Sequence, residues 1–439
     1  MTELRKELSL YGLTMVAIGS CIGSGIFITP SQIASHLPSP TLILIVWTVG
    51  GIIALTGALT FAELGGMFPK AGGVYVYLKE AYGDIAGFMY GWAYFTVINS
   101  GAIAALCIAF SYYLSFIFPM GESGKLWVAI LAIVCITVIN IFRVKLVEYF
   151  SNLFTGLKLI GIATVIGIGL FMGSFTTLQT NDPLVISSSG SLLSAFGLAL
   201  VGVLWSYGGW QHASYLSGEA KNASSTIPKA MVIGAFVVTV VYMLTNLSYL
   251  FLMPVAEMAR SESIAADAVS KVVPNGGFLV AVIIAISTLG TALIYTLSAP
   301  RIYFAMARDG LFFKKIAEVH PKYQTPVNSV ILQSIWAIVI LIFWGTFEDV
   351  ITYVTFTDWI FFTLAACVVI LFRFKRKEAH RPYKTLGYPF TPLVFILISS
   401  WFVINTLIER PLQAGAGLTL LLIGLPLFYF FKKKQVKSG

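Results

Sequence analysis

The chain has 439 residues, of which 58% are hydrophobic and 11% are charged. A soluble globular protein has roughly 45–50% apolar and about 25% charged residues, so this composition excludes most soluble folds and a disordered chain. The four cysteines are too sparse for a disulfide-stapled scaffold. The formal net charge is +9, and its meaning depends on where the lysines and arginines lie relative to the apolar runs.

Long apolar runs divide the chain into membrane-spanning segments. A helix that crosses the bilayer needs about 20 mostly apolar residues, and twelve runs meet this requirement. We therefore predict an all-α integral membrane protein with twelve transmembrane helices. We call these runs spans 1 to 12, and they cover residues 10–35, 41–67, 83–117, 126–142, 148–173, 192–217, 230–254, 276–305, 328–345, 350–373, 388–408 and 414–431.

The positive residues give the spans an orientation. Twelve crossings place both termini on one side, and loops on the cytosolic side of a membrane carry an excess of Lys and Arg. With both termini in the cytosol, nearly all of the 28 lysines and arginines fall on that side. The net charge thus indicates a multi-pass protein of the cell membrane in contact with anionic lipid, and not a nucleic-acid partner. The exceptions are Lys125, Arg260, Lys271 and Arg410 outside, and Lys158 within span 5.

Two spans contain glycines where a continuous helix is expected. Span 1 has Gly19, Gly23 and Gly25, and span 6 has Gly208-Gly209 between aromatic residues. Each glycine costs roughly 1 kcal/mol relative to alanine inside a helix. Close helix packing explains Gly19 and Gly23 taken alone, but the second interruption favours a pair of broken helices. The backbone groups freed at such breaks must face protein or a water-filled cavity.

The two interrupted spans occupy corresponding positions, because each is the first of a group of five. Paired glycine-interrupted segments of this kind indicate an inverted-repeat transporter that works by alternating access. We predict a single transporter domain over 1–439, with a first five-helix repeat at 10–173, an inverted second repeat at 192–373, and two extra helices at 388–431.

The breaks also indicate a ligand. The half-helix that begins near Ser24 and Gly25 has free N–H groups and the positive end of a helix dipole, which suit a carboxylate. The half-helix that ends near Cys21, and the unwound residues from Trp205 to Gly208, present carbonyls that suit an ammonium group. Donors and acceptors placed this close together fit the zwitterionic end of an α-amino acid.

Seven motifs in order resemble the amino acid–polyamine–organocation (APC) superfamily, and within it the L-amino-acid transporter (LAT) family of exchangers. The resemblance covers nearly the whole chain and implies the leucine-transporter type of fold, in a prokaryotic member. The motifs are IGSGIF at 22–27, FAELGGMFPKAGGVYVYLKEAYG at 61–83, YGGW at 207–210 with GEAKNASSTIPKA at 218–230, VYMLTNLSYL at 241–250, the stretch 287–329 with RIYFAMARDGLF, FTDWIF in span 10, and RP at 381–382.

The resemblance implies a substrate site at matching positions of spans 1, 6 and 8. Trp205 matches an aromatic gate that lies over the substrate. Tyr295 matches an aromatic residue that lines the site, with packing against core or lipid as the alternative. The expected contacts are Ser24 and Gly25 for the carboxylate, with Gly23 permitting the turn, and the carbonyls of Cys21, Trp205 and Gly208 for the amino group.

Lys158 lies near the middle of span 5, where a charge is costly and is by default a functional-site hypothesis. In related transporters sodium is held between spans 1 and 8, and a lysine on span 5 can take its place. The resemblance identifies Lys158 as that lysine, bonded to carbonyls of span 1 and to oxygens of span 8 such as Ser287 or Thr288. Tyr242 matches a tyrosine proposed to work with it, with core packing as the alternative. The sequence leaves open whether the lysine releases a proton in each cycle.

Two further ionisable residues lie inside spans. Asp358 is expected to have a structural or gating role, and the family more often has an uncharged residue there. His212 is expected to be a hydrogen-bonded core histidine rather than a proton relay. Since no acid lies in the breaks and Trp205 limits the volume, we predict a small neutral substrate such as alanine, serine, cysteine or threonine, with large neutral amino acids left open.

Other functional classes have less support. No histidine and cysteine pattern suggests a metal, no Walker motif suggests ATP, and no cofactor is implied. The loop at 118–125 lacks the cysteine by which animal members of the family pair with a heavy chain, so we expect no such subunit. We predict sodium-independent amino acid exchange and no enzymatic activity. A proton-coupled symporter of the same fold and a non-transporting amino acid sensor are the alternatives.

Overall fold

The computed structural model describes residues 4–174, 191–343 and 347–438, and the regular secondary structure of these residues is helical apart from an isolated bridge between Leu8 and Ala220. A π-helical turn covers Tyr94–Ile98. The helices of the first half are α1 (Leu10–Cys21), α2 (Gly25–His36), α3 (Pro40–Met67), α4 (Val74–Tyr82), α5 (Asp84–Ala93), α6 (Asn99–Ser115), α7 (Glu122–Ile141) and α8 (Val144–Met172).

The second half begins with another interrupted helix. Its helices are α9 (Leu192–Tyr207), α10 (His212–Tyr215), α11 (Ala223–Leu252), α12 (Val255–Met258), α13 (Ile264–Ser270), α14 (Gly276–Ser298), α15 (Pro300–Arg308), α16 (Val327–Phe343), α17 (Phe347–Lys375), α18 (Phe390–Glu409) and α19 (Pro411–Ser438).

In the described part of the chain, ten helical segments are long and apolar enough to cross a membrane. They are α1 with α2, α3, α5 with α6, α7, α8, α11, α14 with α15, α17, α18 and α19. Two apolar helices are shorter, α9 with 16 residues and α16 with 17. Each predicted span therefore overlaps a helix or an interrupted helix, and the protein is a multi-pass membrane protein.

Span 7 starts well before its predicted boundary. The sequence placed its start at 230, whereas α11 begins at Ala223. The first turn of α11 contains the polar run Ser224, Ser225 and Thr226, which an apolar window excludes. Hydropathy marks only the part of a helix that suits hydrocarbon, and the helix continues beyond it because its backbone hydrogen bonds do not depend on lipid.

The interrupted helix of span 1 lies in the middle of the bundle. In its most apolar stretch, 89% of the residues are buried inside the protein, whereas the corresponding share is 28% in α7 and 33% in α8. α1 packs against α8, α11 and α14, while α2 packs against α9. The two helix breaks thus meet in the protein interior, where freed backbone groups find protein partners rather than lipid.

Buried ion pairs connect helix ends on the face of the bundle where the N-terminal segment lies. Arg301 donates to both carboxylate oxygens of Glu219 at 2.8 and 2.9 Å, and both side chains are fully buried. Glu63 accepts from Arg373 at 2.7 and 2.9 Å and from Arg381 at 3.1 Å. Removing one member of such a pair would leave an uncompensated buried charge.

Candidate transport site

The two helix breaks, at 22–24 between α1 and α2 and at 208–211 between α9 and α10, lie against each other. Gly209 has a φ of 131°, and a Cβ there would lie 2.6 Å from the backbone of α1. A Cβ on Gly25 would lie 2.4 Å from the side chain of Ser206 and 2.8 Å from its Cα. Glycine is required at both positions because the two backbones approach more closely than a side chain allows.

Tyr242 on α11 connects the two breaks. Its buried hydroxyl lies 2.7 Å from the carbonyl oxygen of Cys21 and 3.1 Å from that of Ser206. A tyrosine hydroxyl has a single hydrogen, so it donates to one carbonyl at a time. A second link joins Thr29 Oγ1 to Ser206 Oγ at 3.1 Å. The Tyr242 hydroxyl therefore lies between the end of α1 and the end of α9, beside both breaks.

Lys158 is fully buried beside the end of α1. Its Nζ lies 2.9 Å from the carbonyl oxygen of Gly19, 2.7 Å from that of Ile22 and 2.8 Å from Thr291 Oγ1. An ammonium group has three N–H donors, so these three acceptors complete its hydrogen bonding. The positive charge lies where the last carbonyls of α1 lack partners within the helix and carry the negative end of its dipole.

The α14 side chain that contacts Lys158 is that of Thr291. Ser287 and Thr288, which the sequence suggested for this contact, bond other groups. Ser287 Oγ lies 3.2 and 3.3 Å from two carbonyls of the span 1 break. Thr288 Oγ1 bonds carbonyls of its own helix at 2.9 and 3.1 Å. Residues four apart share a helix face, so Ser287 and Thr291 both face α1, while Thr288 is turned by about 100°.

The beginning of α2 presents hydrogen-bond donors beside the first break. The first N–H groups of a helix have no acceptor within the helix and carry the positive end of its dipole. Ser24 directly precedes α2, and its buried Oγ has no hydrogen-bond partner among the residues that the structure describes. Its hydroxyl and the N–H groups that follow can donate together to a carboxylate.

A small cavity lies at the breaks, and we call it the break cavity. It has room for about one water molecule. Of the predicted substrate residues, all except Gly208 line it. The carbonyl of Cys21 already accepts from Tyr242, and that of Trp205 accepts from the Gly208 N–H at 3.3 Å, but a carbonyl oxygen has two lone pairs. The lining residues are Ser20, Cys21, Gly23, Ser24, Gly25, Leu106, Trp205, Thr291 and Tyr295.

A second small cavity adjoins the first, and we call it the distal cavity. It shares Trp205 and Tyr295 with the break cavity, so these two aromatic residues stand between the two spaces. The other lining residues are Tyr94, Ile98, Asn99, Ala102, Leu204, Gly208, Gly209, Gln211, His212, Val354, Thr355, Asp358 and Trp359.

His212 fixes the position of Tyr295. Its Nε2 lies 3.1 Å from Tyr94 Oη and its Nδ1 lies 2.5 Å from Ser298 Oγ. Its ring stacks on Tyr295 with ring centroids 4.1 Å apart. His212 is thus hydrogen-bonded in the core, and the Tyr295 ring on which it stacks lines a cavity on either side.

Asp358 lines the distal cavity, which the sequence did not indicate. Its Oδ1 is buried and has no hydrogen-bond partner among the described residues. The two breaks themselves contain no acidic residue. Packing of α17 against α9 brings this carboxylate to the far side of Trp205.

Sequence reasoning missed Thr291, Asn99 and Thr355 as lining residues. Thr291 lies one turn after Ser287 in a strongly apolar helix, and this polar spacing was an available signal. Asn99 is a polar residue in the middle of an apolar span, which is also informative. The π-helical turn just before Asn99 has no comparable signature in the sequence.

Comparison with known proteins agrees with this architecture. Residues 8–428 match the family model described as amino acid permease, and the chain belongs to that family of transporters, within the APC superfamily. The resemblance proposed from the motifs is thus confirmed, and the protein is a transporter rather than an enzyme.

Several curated relatives align over nearly the whole chain. It is 34% identical over 435 residues to b(0,+)-type amino acid transporter 1 of Homo sapiens, covering 98% of this chain and 88% of the relative. It is 33% identical over 440 residues to the serine/threonine exchanger SteT of Bacillus subtilis (strain 168), covering 98% of each. It is 29% identical over 433 residues to Asc-type amino acid transporter 1 of Homo sapiens, covering 97% and 82%.

Proposed function

We propose that this protein exchanges amino acids across the cell membrane by alternating access and without sodium. The observation that carries the proposal is the contact between two helix breaks at the centre of the bundle, beside a buried lysine whose Nζ bonds two carbonyls at the end of α1. Transporters of inverted-repeat design bind substrate at discontinuous helices of this kind. One relative is named a serine/threonine exchanger and two are named amino acid transporters, which supports the same activity here.

The proposed architecture has twelve crossings in two inverted five-helix repeats. We assign α9 with α10 as the sixth crossing and α16 as the ninth, since a helix of 17 residues is at the lower end of the length that spans a bilayer. The repeats are then 10–173 and 192–373, followed by two helices at 388–431. Positive loop residues support cytoplasmic termini.

In this account both charged ends of the substrate are recognised by the breaks. The carboxylate binds Ser24 and the first N–H groups of α2, where the unpartnered hydroxyl and the helix dipole favour an anion. The amino group binds remaining lone pairs of the carbonyls of Cys21, Trp205 and Gly208. Gly23 permits the turn that exposes these groups.

Lys158 takes the place of a sodium ion in the proposed mechanism. Its three hydrogen bonds hold the end of α1 against α14, as a bound cation would. Ser287 and Tyr242 add contacts from α14 and α11 to the same break. Because the charge is part of the protein, the resting site needs no sodium to hold it together.

The break cavity favours small neutral substrates. It is closed by Trp205 and Tyr295, which we assign as the gate and a side wall. Because the closed cavity has room for only about one water molecule, we propose that the breaks separate to admit a substrate, and that side chains as short as those of alanine, serine, cysteine and threonine then end before Trp205. We also propose that the protein works without a heavy chain, because the loop at 118–125 has no cysteine for a linking disulfide.

Counterflow into proteoliposomes tests the proposal. Purified protein in liposomes loaded with unlabelled alanine should take up labelled alanine, and replacing sodium by choline should leave the rate unchanged. Empty liposomes should take up little. Uptake into empty liposomes driven by an inward proton gradient would instead establish the symporter, and binding without any flux would establish the sensor.

A further inference from the structure

A cavity of about 520 Å³ lies apart from the transport site, at the end of the bundle that holds the N-terminal segment, and we call it the basal cavity. Its volume is within the range of about 300–1,000 Å³ that is usual for small-molecule sites. Four parts of the chain line it: the segment before α1, the loop between α3 and α4, α4 itself, and the end of α15. In the proposed orientation this is the cytoplasmic side.

Positive side chains outnumber negative ones around the basal cavity. The four basic residues in its lining are Lys6, Lys70, Lys79 and Arg308, and the two acidic residues are Glu80 and Asp309. These charges come from separate parts of the chain, and the fold brings them to one space.

Both acids of the lining already have basic partners. Lys79 Nζ lies 2.6 Å from Asp309 Oδ2, and the hydroxyl of Tyr75 donates to the same oxygen at 2.7 Å. Arg376, which lies outside the lining, donates to Glu80 Oε2 at 3.0 Å. The acids of the cavity are therefore neutralised by other residues and do not balance the remaining cations.

Three cations remain for a ligand. Lys6, Lys70 and Arg308 form no ion pair with an acid of the described chain. The guanidinium of Arg308 lies 5.6 Å from the ring centroid of Phe304, a contact with the ring face that leaves its N–H groups available as donors. The basal cavity thus offers hydrogen-bond donors and positive charge, and it lacks an anion.

The rest of the lining indicates what kind of anion fits. Arginine and lysine side chains are the usual partners of phosphate, because its several oxygens can accept from more than one cation. Leu4, Val76 and Phe304 give the cavity apolar walls. A single inorganic phosphate would leave these walls uncovered, whereas a phosphate attached to a larger organic group would contact them.

We infer that the basal cavity binds the phosphate group of an organic anion, with Lys6, Lys70 and Arg308 as its cationic contacts. This site is separate from the helix breaks, and the inference does not depend on which amino acid is transported. The phosphate comes either from a soluble phosphate ester or from the headgroup of an anionic phospholipid. The chemistry of recognition is the same for both.

The basal cavity adjoins the outer ends of both interrupted helices. Lys6 lies two residues before Leu8, whose N–H donates to the Glu219 carbonyl and whose carbonyl accepts from the Lys221 N–H, both at 2.9 Å. Gly218, which directly precedes Glu219, is also in the lining. A phosphate bound between Lys6 and Arg308 would therefore connect the start of α1, and the segment that follows α10, to the end of α15.

Equilibrium binding to the purified full chain at constant ionic strength tests the inference. The soluble probes are ATP and glycerophosphate. The lipid probes are phosphatidylglycerol and uncharged phosphatidylcholine, counted on the protein by native mass spectrometry. Wild-type protein should bind a soluble probe with saturation, or should retain phosphatidylglycerol in preference to phosphatidylcholine. The triple variant Lys6→Gln, Lys70→Gln, Arg308→Gln should weaken that binding at least about tenfold.

A matched triple variant separates a specific site from general surface charge. Lys375→Gln, Lys377→Gln and Lys384→Gln together remove three exposed cations that lie outside the cavity lining. This variant should change binding less than about threefold. If the first triple variant is not monodisperse, the single change Lys70→Gln, at an exposed residue, should still weaken binding at least about threefold.

The source of the phosphate follows from which probe depends on the three cations. Loss of ATP or glycerophosphate binding in the first triple variant supports a soluble ligand, and loss of phosphatidylglycerol alone supports a lipid. Equal weakening by both triple variants, or the absence of saturable binding to any probe, would overturn the inference. Counterflow of alanine is measured separately, so exchange without phosphate binding removes this site only. Phosphate binding without counterflow removes only the exchange proposal.

Discussion

The ammonium group of Lys158 on α8 lies 2.7 Å from the carbonyl oxygen of Ile22, directly after the last residue of α1. A helix end leaves carbonyls without partners, and here a buried positive charge satisfies them. The same charge bonds Thr291 of α14 at 2.8 Å. The Lys158 side chain thus connects α8 to the end of α1 and to α14.

Replacing Lys158 by alanine should lower exchange of alanine at least about tenfold, because the carbonyls of the break lose their charged partner. Lys158→Met, which keeps much of the volume, should behave similarly. The measurement is counterflow in liposomes with equal amounts of folded protein, checked by size-exclusion chromatography. Lys125→Ala is the control, since that lysine pairs with Glu122 on the surface. Normal exchange by both Lys158 variants would remove the proposed role.

Gly25→Val should abolish exchange of alanine. A Cβ at this position would collide with Ser206, and the extra methyl groups would fill the space assigned to the carboxylate. Gly156→Ala provides the comparison, because a Cβ there has no atom within 4 Å. Binding of labelled alanine to the purified variants measures the effect apart from transport. A Gly25→Val protein that binds alanine as wild type does would contradict the assignment.

Tyr242→Phe should reduce exchange by about threefold to tenfold, the equivalent of one lost hydrogen bond. The ring remains packed against Trp47 and Tyr207, so the fold should be kept. The control is Tyr149→Phe, which removes an exposed hydroxyl. Unchanged exchange rates with Tyr242→Phe would favour simple core packing for this residue.

Glu219→Gln should lower the stability of the protein by about 3–5 kcal/mol, because Arg301 would be left buried without its charged partner. Thermal unfolding in detergent, followed by the loss of monodisperse protein, measures this. Glu122→Gln, which breaks an exposed pair, should change stability by less than about 1 kcal/mol. Equal midpoints for the two variants would show that the buried pair contributes little.

The sequence predicted those features that follow from the residues of a single segment, namely the positions of the spans and of the helix breaks. Apolar length located the spans, and glycines located both breaks, because a helix interior tolerates few of them. It could not predict features that depend on packing between distant segments. The partner of Lys158 was Thr291 because of the rotation of α14 about its axis. Asp358 reached the distal cavity because α17 packs against α9, and these helices are far apart in the sequence.

The central claim is that the two breaks recognise both charged ends of an amino acid. Competition against labelled alanine exchange by alanine, alanine methyl ester and propionate tests it most directly. The ester lacks the carboxylate and propionate lacks the amino group, while the size stays similar. We predict that unlabelled alanine competes fully and that each of the other two is weaker by at least about tenfold. Competition by the ester or by propionate at the same concentration as alanine would contradict the account.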